Sequence, residues 1–438
     1  MSTTSEKATR VVKNIIKSQE ISELSNNLRQ KPLQLLEDYP VIPPNGHYTA
    51  DGQKKRIDLI EKHKGISIDY LKGDKQFKEN HLLQGNIEHY IGMTQVPTAI
   101  IGPVLVNGSK ANGYYFVPLA TTEGALVASY NRGIKASRLA GGITSICLLE
   151  GVQRSPIFKF YSVVEVGNFL VWFLENLENF KKITSQNSNY AKLEDVKTNI
   201  EGCNIIFTFE FTTGDASGQN MVTICTDAIC NFIIENSPIK PHTWYLECNY
   251  SGDKKATSLS FNNVRGKKVT TEVIIPKEIV KDVLKSTPEK MVDYTYSSTL
   301  GAVQSGSIGA QGHIANGLAS LFIACGQDAA CVSEASIGVT RMNLTEAGDL
   351  YAALTLPNLI VGTVGGGTSL PTQKECLQIM DCYGAGNAKK FAEICGALLL
   401  AGELSIIAAL SDGHFAKAHR LYGRKRQSKT SAELGIKN

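Results

Sequence analysis

The stretch NIIFTFEF at 204–211 alternates apolar and polar side chains through Ile205, Phe207, Phe209 and Phe211. A period of 2 through four large apolar residues is the pattern of a strand with one face in a core. Its surroundings have a rhythm of their own. IFKFYSVVEV reads as a strand, VGNFLVWFLENLENFKK as one amphipathic helix and YAKLEDVKT as a weak strand or turn. SGQNMVTICTDAICNFIIEN then reads as a helix and HTWYLEC as a closing strand. The order β-α-β-β-α-β over residues 156–247 is that of a ferredoxin-like module.

The flanks have a different texture. Residues 1–86 are polar and helical in tone, with RIDLIEKHKGISI as the clearest amphipathic piece. From about Gly92 the chain turns to small residues, glycines and apolar runs. After the module come a strand VTTEVIIP, a helix from Lys277 and a long apolar helix over GHIANGLASLFIACGQDAACV. A buried strand comes next, running into GTVGGGT, and then a helix pair beginning at NAKKFAEIC. The expected fold is α+β: a helical N-terminal region (1–86), a large mixed domain (87–155 and 248–438) and the small domain (156–247) inserted into it.

At 438 residues there is length for two or three domains, and 42% hydrophobic with 20% charged residues is ordinary for a globular protein. A net charge of +4 gives no footprint for nucleic acid. Ten cysteines are scattered without a C-x-x-C pair or a Cys/His grouping at zinc spacing, so no metal is expected. Cys325, Cys331 and Cys395 fall in apolar helical runs, where reduced thiols are common, which points to the cytoplasm. MSTTSEKATRVVKNIIKSQE lacks the apolar centre of a signal peptide. The run ICGALLLAGELSIIAAL is interrupted by Glu403 and is short for a membrane span.

Chemistry is suggested at several places. NYSGDKKAT (249–257) is a turn-rich loop in which Asp253 precedes two lysines, so that one ammonium could be held by a carboxylate and aimed at an electron-rich oxygen. DASGQN (215–220) lies between a strand and a helix, where free N–H groups meet anions. GTVGGGT (362–368) allows close approach of backbone to a ligand. Neither is the G-x-G-x-x-G of a Rossmann unit, and each alone reads first as a tight turn; two in one chain raise the case for a dinucleotide. Glu123, in ATTEGA, falls in the first turn of a helix opened by Thr121 or Thr122 and closed by Gly141, where capping would also account for it. Asp328 sits between apolar flanks within a helix, and a carboxylate there needs a cation; Lys254 is a candidate. His313 opens an apolar helix, and His414 and His419 lie near the basic tail, where a solvated role is as good a reading.

The motifs LIEKHKGISI, IGMTQVPTAIIGP, VPLATTEGALVASYNRG, EGVQRSP, TGDASGQNM, NYSGDKKA, SGSIGA, HIAN, IACGQDAA, GTVGGGT, LAGELSIIAAL and GHFAKAH occur in that order. Together they resemble the catalytic portion of the 3-hydroxy-3-methylglutaryl-CoA reductase family, of the class found in eukaryotes and some prokaryotes, over about residues 55 to 422. The resemblance implies a four-electron reduction of a thioester to an alcohol with two hydrides from NADPH or NADH, and no metal. It implies that Glu123, Lys254, Asp328 and His419 are the catalytic four. Lys254 would stabilise the oxyanion, Asp328 would orient Lys254 and couple to Glu123, Glu123 would protonate the aldehyde oxygen, and His419 would protonate departing CoA thiolate. Arg154, Asp253, Lys255, His313 and Asn316 match substrate-side positions, and Asn131, Arg132 and Glu88 the CoA side. Asp215, Ser217, Gly218, Gln219 and Asn220, with Gly365, Gly366, Gly367 and Thr368, match contacts to the dinucleotide. It also implies a homodimer or homotetramer with sites between subunits.

Five features depart from the family pattern. Glu88-His89 stands for Glu-Asn, Glu247 for a serine, and Ser297 for a lysine that binds substrate. The spacing from S-I-G to His313 is one residue shorter, and Asn189 replaces an arginine near the cofactor's 2′-phosphate. Two rival readings therefore stand beside the leading one: a reductase of another acyl-CoA, and a non-catalytic CoA- or dinucleotide-binding homologue.

Overall fold

A computed structural model of the chain describes residues 5, 7–9, 11–12, 20–33, 38–44 and 47–413. The elements run α1 (Ile21–Leu28), α2 (Ala50–Lys64), β1 (Thr98–Gly108), β2 (Asn112–Ala120), α3 (Leu126–Leu139), β3 (Ile143–Arg154) and β4 (Ile157–Lys159). Next come α4 (Val163–Glu175), α5 (Leu177–Asn187), β5 (Lys192–Glu201), β6 (Asn204–Thr212), α6 (Gln219–Asn236), β7 (Thr243–Tyr245) and β8 (Gly266–Ile275). The chain continues through α7 (Pro288–Ser305), α8 (Ile314–Cys325), β9 (Val339–Leu344), β10 (Leu350–Leu359), α9 (Pro371–Ile379) and α10 (Ala388–Ser411). It is an α+β fold in which every strand pairing is antiparallel except that of β1 with β3.

One continuous path of strands, β7-β4-β6-β3-β8-β10-β9, joins two hydrophobic cores. The larger is built around α10, in which every residue from Phe391 to Ala409 is buried. Small residues allow its closest crossing: a Cβ on Gly133 of α3 would overlap the backbone of Ala401. Phe391, Leu398, Leu404 and their neighbours fill the space between α3, α8 and the sheet. Among the described residues α10 is the one helix long and apolar enough to cross a membrane, and 89% of its most apolar window is buried inside the fold.

The smaller core lies under β4, β5, β6 and β7 and over α4, α5 and α6. The alternation of β6 does what its pattern implies. Ile205, Phe207, Phe209 and Phe211 are all fully buried, and Phe207 stacks on Phe173 of α4 with ring centroids 3.7 Å apart. The strand order is β7-β4-β6-β5, with neighbours antiparallel throughout.

Elements of the small domain and of the C-terminal region differ from the sequence reading. IFKFYSVVEV is only a three-residue strand, because Ser162 caps α4 by accepting from the Glu165 N–H at 3.2 Å. The expected single helix is two, broken at Asn176. YAKLEDVKT leads into a ten-residue strand, β5 from Lys192 to Glu201, at the sheet edge, where among the described residues only β6 pairs with it. The expected C-terminal helix pair begins as one 24-residue helix, and its second member, beyond Gly413, lies outside the described residues.

Candidate active site

The DKK loop is held in place by an ionic network. Arg265, 2% exposed, donates from Nη2 to Asp253 Oδ1 at 3.0 Å and to Gln219 Oε1 at 3.0 Å, from Nε to Glu334 Oε2 at 2.6 Å, and from Nη1 to the Gln153 carbonyl at 2.9 Å. Glu334 is fully buried, and its other oxygen accepts the backbone N–H of Lys254 at 2.9 Å. Arg154 donates to Asp253 Oδ2 at 2.9 Å from the opposite side. Burial raises the Asp253 carboxyl, but Arg265 and Arg154 outweigh it and hold the group below the usual carboxylate range. Lys254 adopts φ +57°, a left-handed conformation that costs a residue with a Cβ about 1 kcal/mol or more and persists where neighbours over-determine it. Sequence reasoning missed Arg265 and Glu334, which form the base of the loop.

Lys254 projects from this base into partly open space, with Nζ 2.9 Å from Asp328 Oδ2. Hydrogen bonding to Asp328 raises its pKa above the ordinary lysine value, so the ammonium stays charged through the neutral range. The salt bridge anticipated between these two residues is present, although its premise was wrong. Asp328 is not within a helix or buried: α8 ends at Gly326, in the left-handed region at φ +66°, and the Asp328 side chain is 40% exposed. Its Oδ1 accepts from the Ala330 N–H at 3.0 Å and so caps a short helical turn.

The two glycine-bearing loops meet beside this pair. Gln327, adjacent to Asp328 and also missed, donates to the Gly362 carbonyl at 3.0 Å and accepts from the Gly362 N–H at 2.8 Å. Gly326 and Gly367 pack backbone to backbone, and a Cβ on Gly362 would come within 2.6 Å of the Ser217 nitrogen. Among the described residues no side chain caps the start of α6, where Gly218 sits at φ +83°. A Cβ at Gly365 or Gly366 would meet nothing within 4 Å. Uncapped N–H groups at a helix start beside an open glycine turn suit a dinucleotide's phosphates.

Not every residue anticipated for the dinucleotide is free to bind one. The Asp215 carboxylate accepts from Gly386 N–H at 2.7 Å and Ala388 N–H at 3.0 Å, bracing the start of α10. Gln219 is engaged by Arg265 and also donates to Cys331 Sγ at 3.5 Å. The Thr368 hydroxyl donates to the Gly365 carbonyl at 2.7 Å. Asn220 is exposed.

Glu123 belongs to a second cluster. It does not lie in the first turn of a helix, because α3 opens at Leu126 after Ala125 at φ +73°. Its exposed carboxylate accepts from Asn316 Nδ2 at 3.3 Å, and its own N–H donates to the Thr121 hydroxyl at 3.0 Å. His313 is next to this pair. Burial lowers its pKa, and its Nε2 lies 3.0 Å from the Gly402 carbonyl. A carbonyl only accepts, so Nε2 carries the proton and Nδ1 is left as an acceptor. Asn316 stands near the start of α8 and Asp328 beyond its end, so Glu123 and the Lys254–Asp328 pair are tied to opposite ends of that helix. Glu123 is bonded to Asn316 and Asp328 to Lys254, and neither contact joins the two carboxylates.

The remaining candidates are spread out. Arg132 donates to Ser405 Oγ at 3.0 Å and to the Ser405 carbonyl at 2.7 Å. Asn131 accepts from the Gly102 N–H at 3.3 Å. Lys255 is exposed, donating to the Asp253 carbonyl at 2.9 Å. Glu88 is exposed on an irregular stretch that also carries fully exposed Ile91. His414 and His419 lie outside the described residues. Among the described residues no group of three or more His, Cys, Asp or Glu could hold a metal ion.

Comparison with known proteins decides the family. The hydroxymethylglutaryl-coenzyme A reductase family matches residues 52–424, well over half of the chain. This chain belongs to that family. The 3-hydroxy-3-methylglutaryl-coenzyme A reductase of Pyrococcus abyssi is 42% identical over 84% of this chain and 92% of its own length. That of Methanocaldococcus jannaschii is 40% identical with the same coverage, and reductase 2 of Dictyostelium discoideum is 35% identical over 89% of this chain and 72% of its own. In fold, the chain resembles the NADPH-bound class II reductase of Streptococcus pneumoniae, with TM-score 0.66 at 20% identity over 82% of this chain and 96% of that one.

Proposed function

We propose that this member of the reductase family converts 3-hydroxy-3-methylglutaryl-CoA to mevalonate and free CoA, consuming two nicotinamide dinucleotides. The observation that carries the reading is Lys254: an ammonium fixed by a buried Arg265–Glu334 base, paired to Asp328, and placed where two glycine loops meet. Bound nicotinamide would supply the two hydrides, and the chain's own groups handle the charge and the protons. Lys254 would stabilise the oxygen of the thioester carbonyl as it gains negative charge, and again that of the aldehyde. Glu123 would give the aldehyde oxygen its proton, and His419 would protonate the thiolate released in the first half-reaction.

Glu123 is tied to the start of α8 and Lys254 pairs beyond its end, and the working site is read as shared: Glu123 from one subunit completes the Lys254–Asp328 pair of another in a dimer or tetramer. Two patches suit burial by a second copy: exposed Ile87, Ile91 and Met93, and the face of α7 carrying Tyr296, Leu300 and Val303. Residues 156–247 are read as an inserted ferredoxin-like cofactor domain, consistent with the strand order β7-β4-β6-β5. Residues 87–155 and 248–438 would then form the CoA- and substrate-binding domain, behind a helical region at 1–86. The class is read as that of eukaryotes and some prokaryotes, because identity is 35% to the Dictyostelium enzyme and 20% to the class II structure. The location is read as cytoplasmic.

The test follows nicotinamide absorbance with purified protein, 3-hydroxy-3-methylglutaryl-CoA and each cofactor in turn. Oxidation of two equivalents per mevalonate formed is expected. No oxidation with either cofactor overturns the reading.

A further inference from the structure

Arg154 carries one positive charge and is claimed by two carboxylates. Its Nη1 lies 2.9 Å from Asp253 Oδ2 and 3.5 Å from Glu247 Oε2, and Nη2 donates to the Gln219 carbonyl at 3.3 Å. Glu247 Oε2 also accepts the N–H of Ser155 at 3.2 Å. Two polar atoms are left over. Glu247 Oε1 and Arg154 Nε are both buried without a partner among the described residues. A buried carboxylate oxygen and a buried guanidinium N–H left unsatisfied are each costly, and native structures rarely keep them without a reason.

The charge balance gives that reason. The two guanidiniums of Arg154 and Arg265 face three carboxylates, those of Asp253, Glu247 and Glu334, while the Lys254 ammonium is paired with Asp328. Asp253 and Glu334 both accept from Arg265, and Glu334 also accepts the Lys254 N–H. Glu247 touches neither, and its contact to Arg154 is the longest of the ion pairs in the cluster. Its side chain is also 23% exposed, whereas that of Arg154 is 8% exposed. Glu247 is therefore the carboxylate most easily displaced from this arginine.

We propose that Glu247 is a built-in competitor for the terminal carboxylate of the acyl group: it occupies Arg154 in the free enzyme and must give way when the substrate's carboxylate arrives. This rests on the reading that Arg154 receives the acyl end of the substrate. Glu247 is then a specificity-determining residue. It weakens binding of an anionic acyl terminus and leaves binding of the CoA portion alone.

The experiment compares wild type with Glu247→Gln and Glu247→Ser. Gln keeps an oxygen for the Ser155 N–H while removing the charge, so it serves if Ser fails to fold. Three quantities are measured: KM and kcat for 3-hydroxy-3-methylglutaryl-CoA, the Kd of free 3-hydroxy-3-methylglutarate by calorimetry, and the Kd of free CoA. Removing the competing charge is expected to lower KM and the dicarboxylate Kd together by about 5–10-fold, with kcat within about twofold and the CoA Kd unchanged. A merely structural role would shift all the constants or the melting temperature and would not separate dicarboxylate from CoA. If wild type turns over and neither variant binds the dicarboxylate more tightly, the proposal falls and the functional reading stands. If wild type neither turns over nor binds the dicarboxylate, both fall.

Discussion

Replacing Glu334 with Ala tests whether the base of the DKK loop does what its geometry implies. The Arg265 and Glu334 side chains are 3% and 0% exposed and 2.6 Å apart. Removing one partner of a buried ion pair leaves an uncompensated charge, which costs about 3–5 kcal/mol. Arg265 keeps its bonds to Asp253, Gln219 and the Gln153 carbonyl, so the lower end, about 3 kcal/mol, is expected. The lost acceptor for the Lys254 N–H adds about 1 kcal/mol. Urea unfolding of Glu334→Ala, Arg265→Met and the double variant Glu334→Leu/Arg265→Met separates the terms. The double variant removes both charges and should recover about 2 kcal/mol or more of the summed single-variant losses. Activity should not recover with it, because Lys254 at φ +57° has lost the carboxylate that anchors its backbone. A Glu334→Ala enzyme within about 1 kcal/mol of wild type, or a double variant that regains turnover with stability, would refute the reasoning.

Other perturbations probe the rest of the site. Lys254→Ala should lower both half-reactions by about 10²–10³-fold while CoA still binds; near-normal turnover would return the loop to a surface turn. Mixing inactive Glu123→Gln with inactive Lys254→Ala under subunit exchange should restore about a quarter of wild-type activity in a dimer, since half the dimers are mixed and each holds one intact site. A site contained in one chain would restore none. The lowered pKa of Asp253 gives stability that is full above its unfolded value of about 3.9 and is lost as pH falls through the folded value. The stability gap between wild type and Asp253→Asn should therefore be constant at pH 5–7 and close below about pH 4; a gap that widens on acidification would contradict this. With Asn189 in place of an arginine, preference for NADPH over NADH should be under about 100-fold, and a larger ratio of kcat/KM values would point to another basic partner for the 2′-phosphate.

Much of the fold was legible because local pattern and burial agree. β6 reads as a strand because its core-facing positions are four large apolar residues at period 2, and α6 reads as a helix because Val222, Cys225, Ile229 and Ile233 share a buried face. β5 was obscure for a physical reason. It pairs only with β6, and most of its residues are exposed or half-buried, so LEDVKT lacks the alternation a central strand would need. The end of α8 was readable in principle. Gly326 is a left-handed helix stop of the usual kind, but the apolar residues on either side of it suggested one continuous helix.

The site divides along a similar line. GDKK, GQDAA and GTVGGGT are local strings, and the structure places Lys254 against Asp328, with Gln327 bridging to Gly362. The residues that hold them together have no local signature. Glu334, in ACVSEAS, reads as an ordinary acidic residue of a helix, and Arg265, between Val264 and Gly266, reads as a charged strand start. Their importance comes from partners 69 residues apart in the chain, a separation that no periodicity records. Asp328 shows how a wrong premise can lead to the right partner. Its apolar flanks implied burial and hence a need for a cation, whereas it is 40% exposed. A pair this open gains little stability from its Coulomb attraction in water. What keeps Lys254 beside Asp328 is therefore the backbone below it, bonded to Glu334, and the loop beside it, locked by Gln327. A charge oriented by rigid backbone while staying open to an incoming ligand is the arrangement that a developing oxyanion requires, and it explains why the supporting residues are buried while the working ones are not.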